Sequence, residues 1–341
     1  MFNKKYDIVS IGSATRDVFL KSADFELRKH TDSPTGLEQC FSLGSKIEIK
    51  EMVFTTGGGG TNAAVTFARQ GLKTANIGVV GRDFNGRAIL EELKKEGVET
   101  KFFQIHDDDF TAYSIILSHS SGERTILSYK GEGQHFAVKM VPFEKIKTAW
   151  FFLDSLGGHY DLLEAVFNYA DPEPSPSASY GAGKNKIKIA FNPGGKELAH
   201  GLEKLRPFLG KTDILMANKE ELAQLTGIAS NQTGEILNRL KEITPGIVVV
   251  TDGPHGVIVK DAEGKEYSAG VPDSPVVERT GAGDAFGSGF VSEYIKSGDI
   301  VKAIQFGTAN ASSVVTQFGS KAGILKKGDW GPWPLVNVSV G

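Results

Sequence analysis

At 341 residues the chain is long enough to bury a large core, and its net charge of −3, with acids and bases interspersed, leaves no polybasic patch for nucleic acid or an anionic membrane. Cys40 is the only cysteine, which excludes an internal disulfide and a cysteine metal cluster. No apolar run approaches the roughly 18–20 residues that span a bilayer, and the N-terminus reaches Asp7 before any apolar run forms, so a cytoplasmic protein without a signal peptide is expected.

The chain opens with Tyr6–Gly12, a short apolar run closed by glycine, which reads as a buried strand. Runs of the same character follow at Thr74–Val80, Ala149–Asp154, Ile187–Phe191, Asp213–Met216 and Ile247–Thr251. Helix-like stretches lie between them at Thr61–Gln70, Gly86–Glu96, Tyr160–Tyr169, Lys219–Leu225 and Thr233–Glu242. Strands alternating with helices predict an α/β fold, a mostly parallel central sheet with helices on both faces.

Two β-rich stretches interrupt the rhythm, Gly36–Thr56 and Thr111–Tyr129, the second with a hairpin tip expected at Ser120–Glu123. They predict a small sheet outside the main one, with strands from about 14–20, 36–56 and 111–130, serving as a cover over the active site or as a dimer surface. Residues 171–186, rich in Pro, Ser and Gly, read as a surface insertion within a single unit covering 1–341.

The strongest local signal is Thr280–Val291, TGAGDAFGSGFV. The backbone N–H groups of Gly281, Ala282 and Gly283, with the positive end of a helix starting near Asp284, make an anion hole suited to a transferring phosphoryl group. A carboxylate at Asp284 can take the proton of an attacking hydroxyl. Alone, Asp284 could equally complement the helix dipole. A second signal is Thr55–Gly81, where Gly57–Gly60 lead into a helix at Thr61–Asn62. Bare N–H groups and the Asn62 amide there can hold a polyhydroxylated ligand or an anion.

Together these segments resemble the two signatures of the ribokinase-like (PfkB) carbohydrate kinases: Gly58-Gly59-Gly60-Thr61-Asn62-Ala63-Ala64 with Gly71 and Gly81, and Gly281-Ala282-Gly283-Asp284 with Ser288-Gly289-Phe290-Val291. The resemblance runs from about Tyr6 to about Gly323. It implies ATP-dependent phosphorylation of a hydroxyl on a small sugar, with Asp284 as general base, magnesium on the nucleotide, and a homodimer through the lid. A nucleoside kinase is the alternative, with Phe41, Phe54, Phe152 and Tyr113 as candidate base-lining residues.

Carried over residue by residue, the resemblance makes Asp17, Gly58, Gly59 and Asn62 substrate-binding. Asn192, Asn218, Glu221, Thr251, Gly253, Gly256 and Asn310 fall to ATP, with Glu221 also organising magnesium indirectly. Asn218 and Glu221 also have the form of a helix cap. The chain departs from the family at Glu278 and Arg279, where Asp or Asn and Thr are usual. Glu278 then becomes a candidate ligand for potassium, while Arg279 brings a positive charge of its own that can pair with phosphate oxygens.

Rival classes fit less well. Gly210-Lys211-Thr212 ends like a P-loop, but Leu205 fills the required earlier glycine position. The first strand lacks the Gly-x-Gly-x-x-Gly turn of a dinucleotide site. A non-catalytic sensor would be expected to lose the base or the anion hole, and both are present.

Overall fold

The computed structural model describes residues 6–33, 36–119, 124–172 and 186–341. The expected hairpin tip at 120–123 and residues 173–185 of the expected insertion lie outside the described residues. Nine strands form the main sheet: β1 (Tyr6–Gly12), β6 (Thr74–Ile77), β11 (Thr148–Asp154), β12 (Lys188–Asn192), β13 (Ile214–Asn218), β14 (Ile247–Thr251), β15 (Val257–Lys260), β16 (Glu266–Ala269) and β17 (Ser339–Val340). Their order is β17-β16-β15-β14-β13-β12-β11-β1-β6. Pairing is parallel from β6 to β14 and antiparallel from β14 to β17. The parallel half carries the apolar runs read from the sequence because its strands are buried on both faces.

Alternate residues of these strands feed two cores. Val9, Ile11, Phe151, Leu153, Phe191, Leu215 and Val250 point to one face. There they meet α3 (Tyr160–Ala170), α5 (Leu202–Leu209), α6 (Lys219–Thr226) and α7 (Thr233–Lys241). Ile8, Phe152, Ala190, Met216 and Val249 point to the other, against α1 (Gly59–Arg69), α8 (Ala282–Ser297) and α9 (Ile300–Val314). The short α4 (Gly195–Leu198) follows β12, and α2 (Phe84–Lys95) is capped by Asp83, which accepts from Gly86 N at 2.7 Å.

A second sheet of four strands stands apart, in the order β10-β9-β2-β5, from β2 (Thr15–Lys21), β5 (Glu51–Gly57), β9 (Tyr113–Ser118) and β10 (Arg124–Tyr129). The stretch 36–56 only partly joins it. Its first part, β4 (Leu37–Cys40), pairs instead with β3 (Glu26–Lys29) in a separate hairpin. A further parallel pair links β7 (Val79–Gly81) and β8 (Gln104–His106). Met52, Phe54, Ile126, Leu127 and Tyr129 leave apolar surface exposed on the small sheet.

One contact fixes where α1 starts. A Cβ on Gly60 would stand 2.6 Å from the backbone carbon of Gly12, so β1 and α1 meet backbone to backbone. Ser10 Oγ donates to the Gly60 carbonyl at 2.6 Å from inside the same corner.

Candidate active site

The parallel strands end in register. Gly12 pairs with Asp154 and Asp154 with Asn192 across β1, β11 and β12, while Asn218 pairs with Thr251 across β13 and β14. The carboxyl edge of the sheet therefore lines up polar ends, the usual place for a ligand in an open α/β fold. Directly after Asp154 the chain turns through Ser155 at φ 42°, a left-handed conformation uncommon for a residue with a side chain.

Above that edge the two glycine segments converge. α8 begins at Gly281, whose φ of 84° and close approach to Ser320 leave no space for a side chain. Asp284 lies in the first turn. Asn62 of α1 donates from Nδ2 to Asp284 Oδ2 at 2.7 Å, and Ser320 Oγ donates to Asn62 Oδ1 at 3.0 Å. Asn62 is thus locked at both ends of its amide and aims one N–H at Asp284. Burial raises the proton affinity of Asp284, while the Asn62 donor and the charge of Lys321 lower it.

Two further acids share the pocket. Asp17, buried on β2, accepts from Thr15 Oγ1 at 2.9 Å and lies against Gly57; burial raises its pKa, and Thr15 and Lys321 oppose the rise. Asp154, buried at the end of β11, accepts from Asn192 Nδ2 at 2.8 Å and packs against Gly59. Burial, then repulsion from Asp284, pushes Asp154 well above the carboxylate range. Both carboxyls are pushed up, Asp154 well up, and the Asn62 donor and the charge of Lys321 oppose the rise at Asp284. Neither Asp154 nor Lys321 belongs to the sequence-derived set.

Gly58 caps the N-terminus of α1 at φ 91°, and the Gly59 amide donates to Ser13 Oγ at 3.1 Å. Asn218 and Glu221 form a reciprocal cap on α6: Asn218 Oδ1 accepts from Glu221 N at 2.8 Å, and Glu221 Oε2 accepts from Asn218 N at 3.0 Å. Glu221 keeps Oε1 without a hydrogen bond among the described residues, and burial raises its pKa, with a smaller push from Asp284. Thr251 closes β14, and Gly253 and Gly256 form the turn into β15, where Asp252 pairs with Lys219 at 2.7 Å.

Two of the expected site residues are engaged within the chain. Asn310 is fully buried; its Nδ2 donates to the Ala285 carbonyl at 2.8 Å and its Oδ1 accepts from Leu325 N at 2.9 Å. It ties α9 to α8 and to the segment after α9, and its amide has no face left for an adenine. Glu278 is also committed. Its Oε1 accepts from Thr280 N at 3.0 Å and Thr280 Oγ1 at 2.8 Å with Arg124 Nε at 3.3 Å, and its Oε2 accepts from Ser118 Oγ at 2.9 Å. The guanidinium beside Glu278 comes from β10, whereas Arg279 is exposed. A carboxylate neutralised by Arg124 and bound through both oxygens does not fit a potassium ligand.

Residues 5–153 and 178–327 match the pfkB family carbohydrate kinase. This chain belongs to the pfkB family of carbohydrate kinases. It is a phosphotransferase that uses an alcohol as acceptor. Similar proteins include the nucleoside kinase of Methanothermobacter thermautotrophicus, 26% identical over 82% of this chain and 85% of that one. The ribokinase of Haemophilus influenzae is 27% identical over 79% and 83% of the two chains. Among solved structures, Arabidopsis thaliana ribokinase complexed with ribose and ATP overlays with a TM-score of 0.72 at 19% identity, covering 94% of this kinase and 96% of that chain. That overlay extends the family assignment to a ribokinase-like fold. Among the described residues, no helix of the kinase is long and apolar enough to cross a membrane.

Asn62 links both glycine segments, which makes it the first position to perturb. Asn62→Ala removes the N–H that favours ionised Asp284. The expected outcome is a kcat lowered by about 10-fold or more, with the acid limb of kcat/KM moved to higher pH and ATP affinity little changed. Steady-state kinetics from pH 5 to 9 check this, and an unmoved acid limb would separate Asn62 from the base.

Proposed function

We propose that this kinase transfers the γ-phosphoryl group of ATP to a hydroxymethyl group of a small sugar, with Asp284 as general base. The observation that carries the reading is the carboxyl group of Asp284 in the first turn of α8, beside the Gly281–Gly283 amides and hydrogen-bonded to Asn62. Asp284 takes the proton of the acceptor hydroxyl, whose oxygen forms the new bond to phosphorus. The bond to the β-phosphate oxygen breaks and ADP leaves with its electron pair. The charge on the moving phosphoryl is met by the Gly281–Gly283 N–H groups.

Asp17 and Asn62, with Gly58 and Gly59, hold the sugar hydroxyls. Asn192, Asn218, Glu221 and the Thr251–Gly256 turn face the nucleotide. Magnesium supplies charge neutralisation on the polyphosphate. Glu221, through its free oxygen, is the residue that fits a water-mediated contact to it. The described residues contain no cluster of three or more His, Cys, Asp or Glu that would hold a metal without the nucleotide. The small sheet acts as a lid, and its exposed apolar residues fit a homodimer contact. ATP as donor fits a cytoplasmic enzyme.

A nucleoside acceptor is the second reading, favoured by the similarity to a nucleoside kinase. The aromatic candidates speak for the sugar. Phe152 is core, packed on Phe67, and Phe41 and Phe54 are about half exposed, beside Phe25 and Arg16. Of the four, Tyr113 is left to face a base.

ADP release with ATP and magnesium over pentoses, hexoses, keto-deoxy acids and nucleosides tests both readings. We expect one sugar to exceed every nucleoside by at least about 10-fold in kcat/KM, the scale on which a differently built pocket discriminates. We also expect turnover to be unchanged when potassium is replaced by tetramethylammonium, because Arg124 already neutralises Glu278. Activation by potassium would overturn that assignment, and a nucleoside leading the panel would overturn the sugar.

A further inference from the structure

Lys321 is the only lysine or arginine buried among the described residues, and its charge acts on Asp17 and Asp284. The segment carrying it runs from α9 across the small sheet to the catalytic loop. Phe318 packs on Phe19 of β2, Gly319 touches Thr55 of β5, and Ser320 closes on Gly281 and donates to Asn62. Lys321 itself donates from Nζ to Thr56 Oγ1 at 2.6 Å, and Thr56 in turn donates to Glu92 of α2. Among the described residues no carboxylate lies within ion-pair distance of it. Thr56 is one residue from Gly57, against which Asp17 lies, and Ser320 is one hydrogen-bonded step from the Asn62–Asp284 contact.

The charged groups facing Lys321 are Glu92 on α2, Asp17 on β2, Asp284 on α8 and Glu96 just past the end of α2, and Arg69 of α1 donates to the Lys321 carbonyl at 3.0 Å. Glu96 is taken by Arg69 at 2.7 Å. A cavity of about 380 Å³ between β5, α2 and residues 319–322 borders Lys321 and also holds Arg16, Lys95 and Glu91; of the candidate site residues named from the sequence, Phe54 lines it.

We propose that Lys321 is a positioning residue for phosphoryl transfer: its buried ammonium is the counter-charge that keeps Asp284 and Asp17 ionised inside the site, and the small sheet holds it there through Thr56. Asp17 and Asp154 are buried and Asp284 partly so; the three repel one another, and desolvation favours their neutral forms. Burial and repulsion from Asp284 push Asp154 toward its neutral form. Asp284 has to stay ionised to act as a base, and a single hydrogen bond from Asn62 opposes both its burial and the charge on Asp17. With no ion-pair partner among the described residues, the ammonium acts on both acids, alongside Glu92, whose charge bears on it most. Burial lowers Lys321 itself to about 8, so its charge is lost on the alkaline side of neutrality.

This inference rests on Asp284 being the base, so its test does not use turnover. Protein labelled with 13C at aspartate Cγ is titrated by NMR, and the Asp284 resonance is assigned by its loss in D284N. In K321M the Asp284 midpoint is expected to rise by about one pH unit or more, and in K321R to stay near the wild-type value. The wild-type resonance is also expected to show a second step near pH 8 as Lys321 loses its proton, absent from K321R because a guanidinium stays charged. An unmoved midpoint in folded K321M overturns the proposal. If K321M does not fold, a step near pH 8 that persists in K321R overturns it in the same way. An inactive wild-type protein that still shows both shifts would discard the kinase reading and leave the counter-charge standing.

Discussion

Replacing Asp284 by alanine is expected to lower kcat by about 10²–10⁴, the range that a positioned general base contributes, while the affinities for ATP and for the acceptor change only severalfold. The physical reason is in the local geometry. Asp284 sits in the first turn of α8 and accepts from Asn62, and that donor and the charge of Lys321 oppose the rise that burial causes, while Asp154 beside it is pushed well above its ordinary value. The alanine variant keeps the α8 N-terminus and the Gly281–Gly283 amides, so the electrostatic help to the phosphoryl group survives. What is lost is the proton acceptor. Single-turnover ADP formation alongside calorimetric binding of ATP and acceptor separates the two effects.

The pH profile gives that prediction a sign. Burial raises Asp284, so the acid limb of kcat/KM in the wild type is expected above the range of an exposed carboxylate, with activity falling as pH drops through it. Asp284→Asn is expected to lose turnover without a residual acid limb. If Asp284→Ala turned over at near the wild-type rate, the proton would have to leave by another route. Asp154, whose burial and repulsion from Asp284 favour the neutral form, would be a poor one.

The parts of this site that were legible in the sequence are the parts built from contiguous residues. Gly281–Gly283 followed by Asp284 is an anion hole and a carboxylate within one turn, and Gly57–Asn62 is a loop opening a helix; neither needs a partner to be noticed. The parallel strands were legible because burial on both faces turns them into apolar runs, as in Ile247–Thr251, whose bounds the structure reproduces. The small sheet was harder. Burial in its strands changes along their length rather than alternating, as in β5 and β9, and β4, from the same stretch as β5, pairs with β3 instead of joining it.

What the sequence hid is what tertiary contact creates. Asp154 is one acid at the end of a strand, TAWFFLD, and becomes part of the site only because β11 ends in register with β1 and β12. Lys321 sits in an irregular segment that reads as surface; its partner Thr56 is 265 residues away. Asn310 and Glu278 failed in the opposite direction. Both lie in segments matched to the family, but burial spends the hydrogen-bonding groups of each on other parts of the chain. A contact inferred from a motif requires a free donor or acceptor, and only the fold reveals whether one remains. Glu221 passes that check with one oxygen and Asn310 does not.

Gly283 offers the sharpest separation of folding from catalysis. A Cβ built on Gly283 would meet nothing within 4 Å, and the residue is exposed in the first turn of α8 with an ordinary helical backbone. On stability alone Gly283→Ala should therefore be neutral or favourable, by up to about 1 kcal/mol from helix propensity. The open space beside it is where the proposed mechanism puts the transferring phosphoryl group. A methyl group there would push phosphorus away from the backbone N–H groups and out of line with the acceptor oxygen, and a misplacement of about 1 Å can cost about 10²-fold in rate. The expected result is a variant that melts at or slightly above the wild-type temperature and turns over about 100-fold more slowly, with acceptor affinity unchanged. Wild-type turnover with the same stability would move the phosphoryl site off the α8 N-terminus. A large loss of stability would instead mean that the space is filled by the protein itself, and the anion hole would have to be sought elsewhere along the sheet edge.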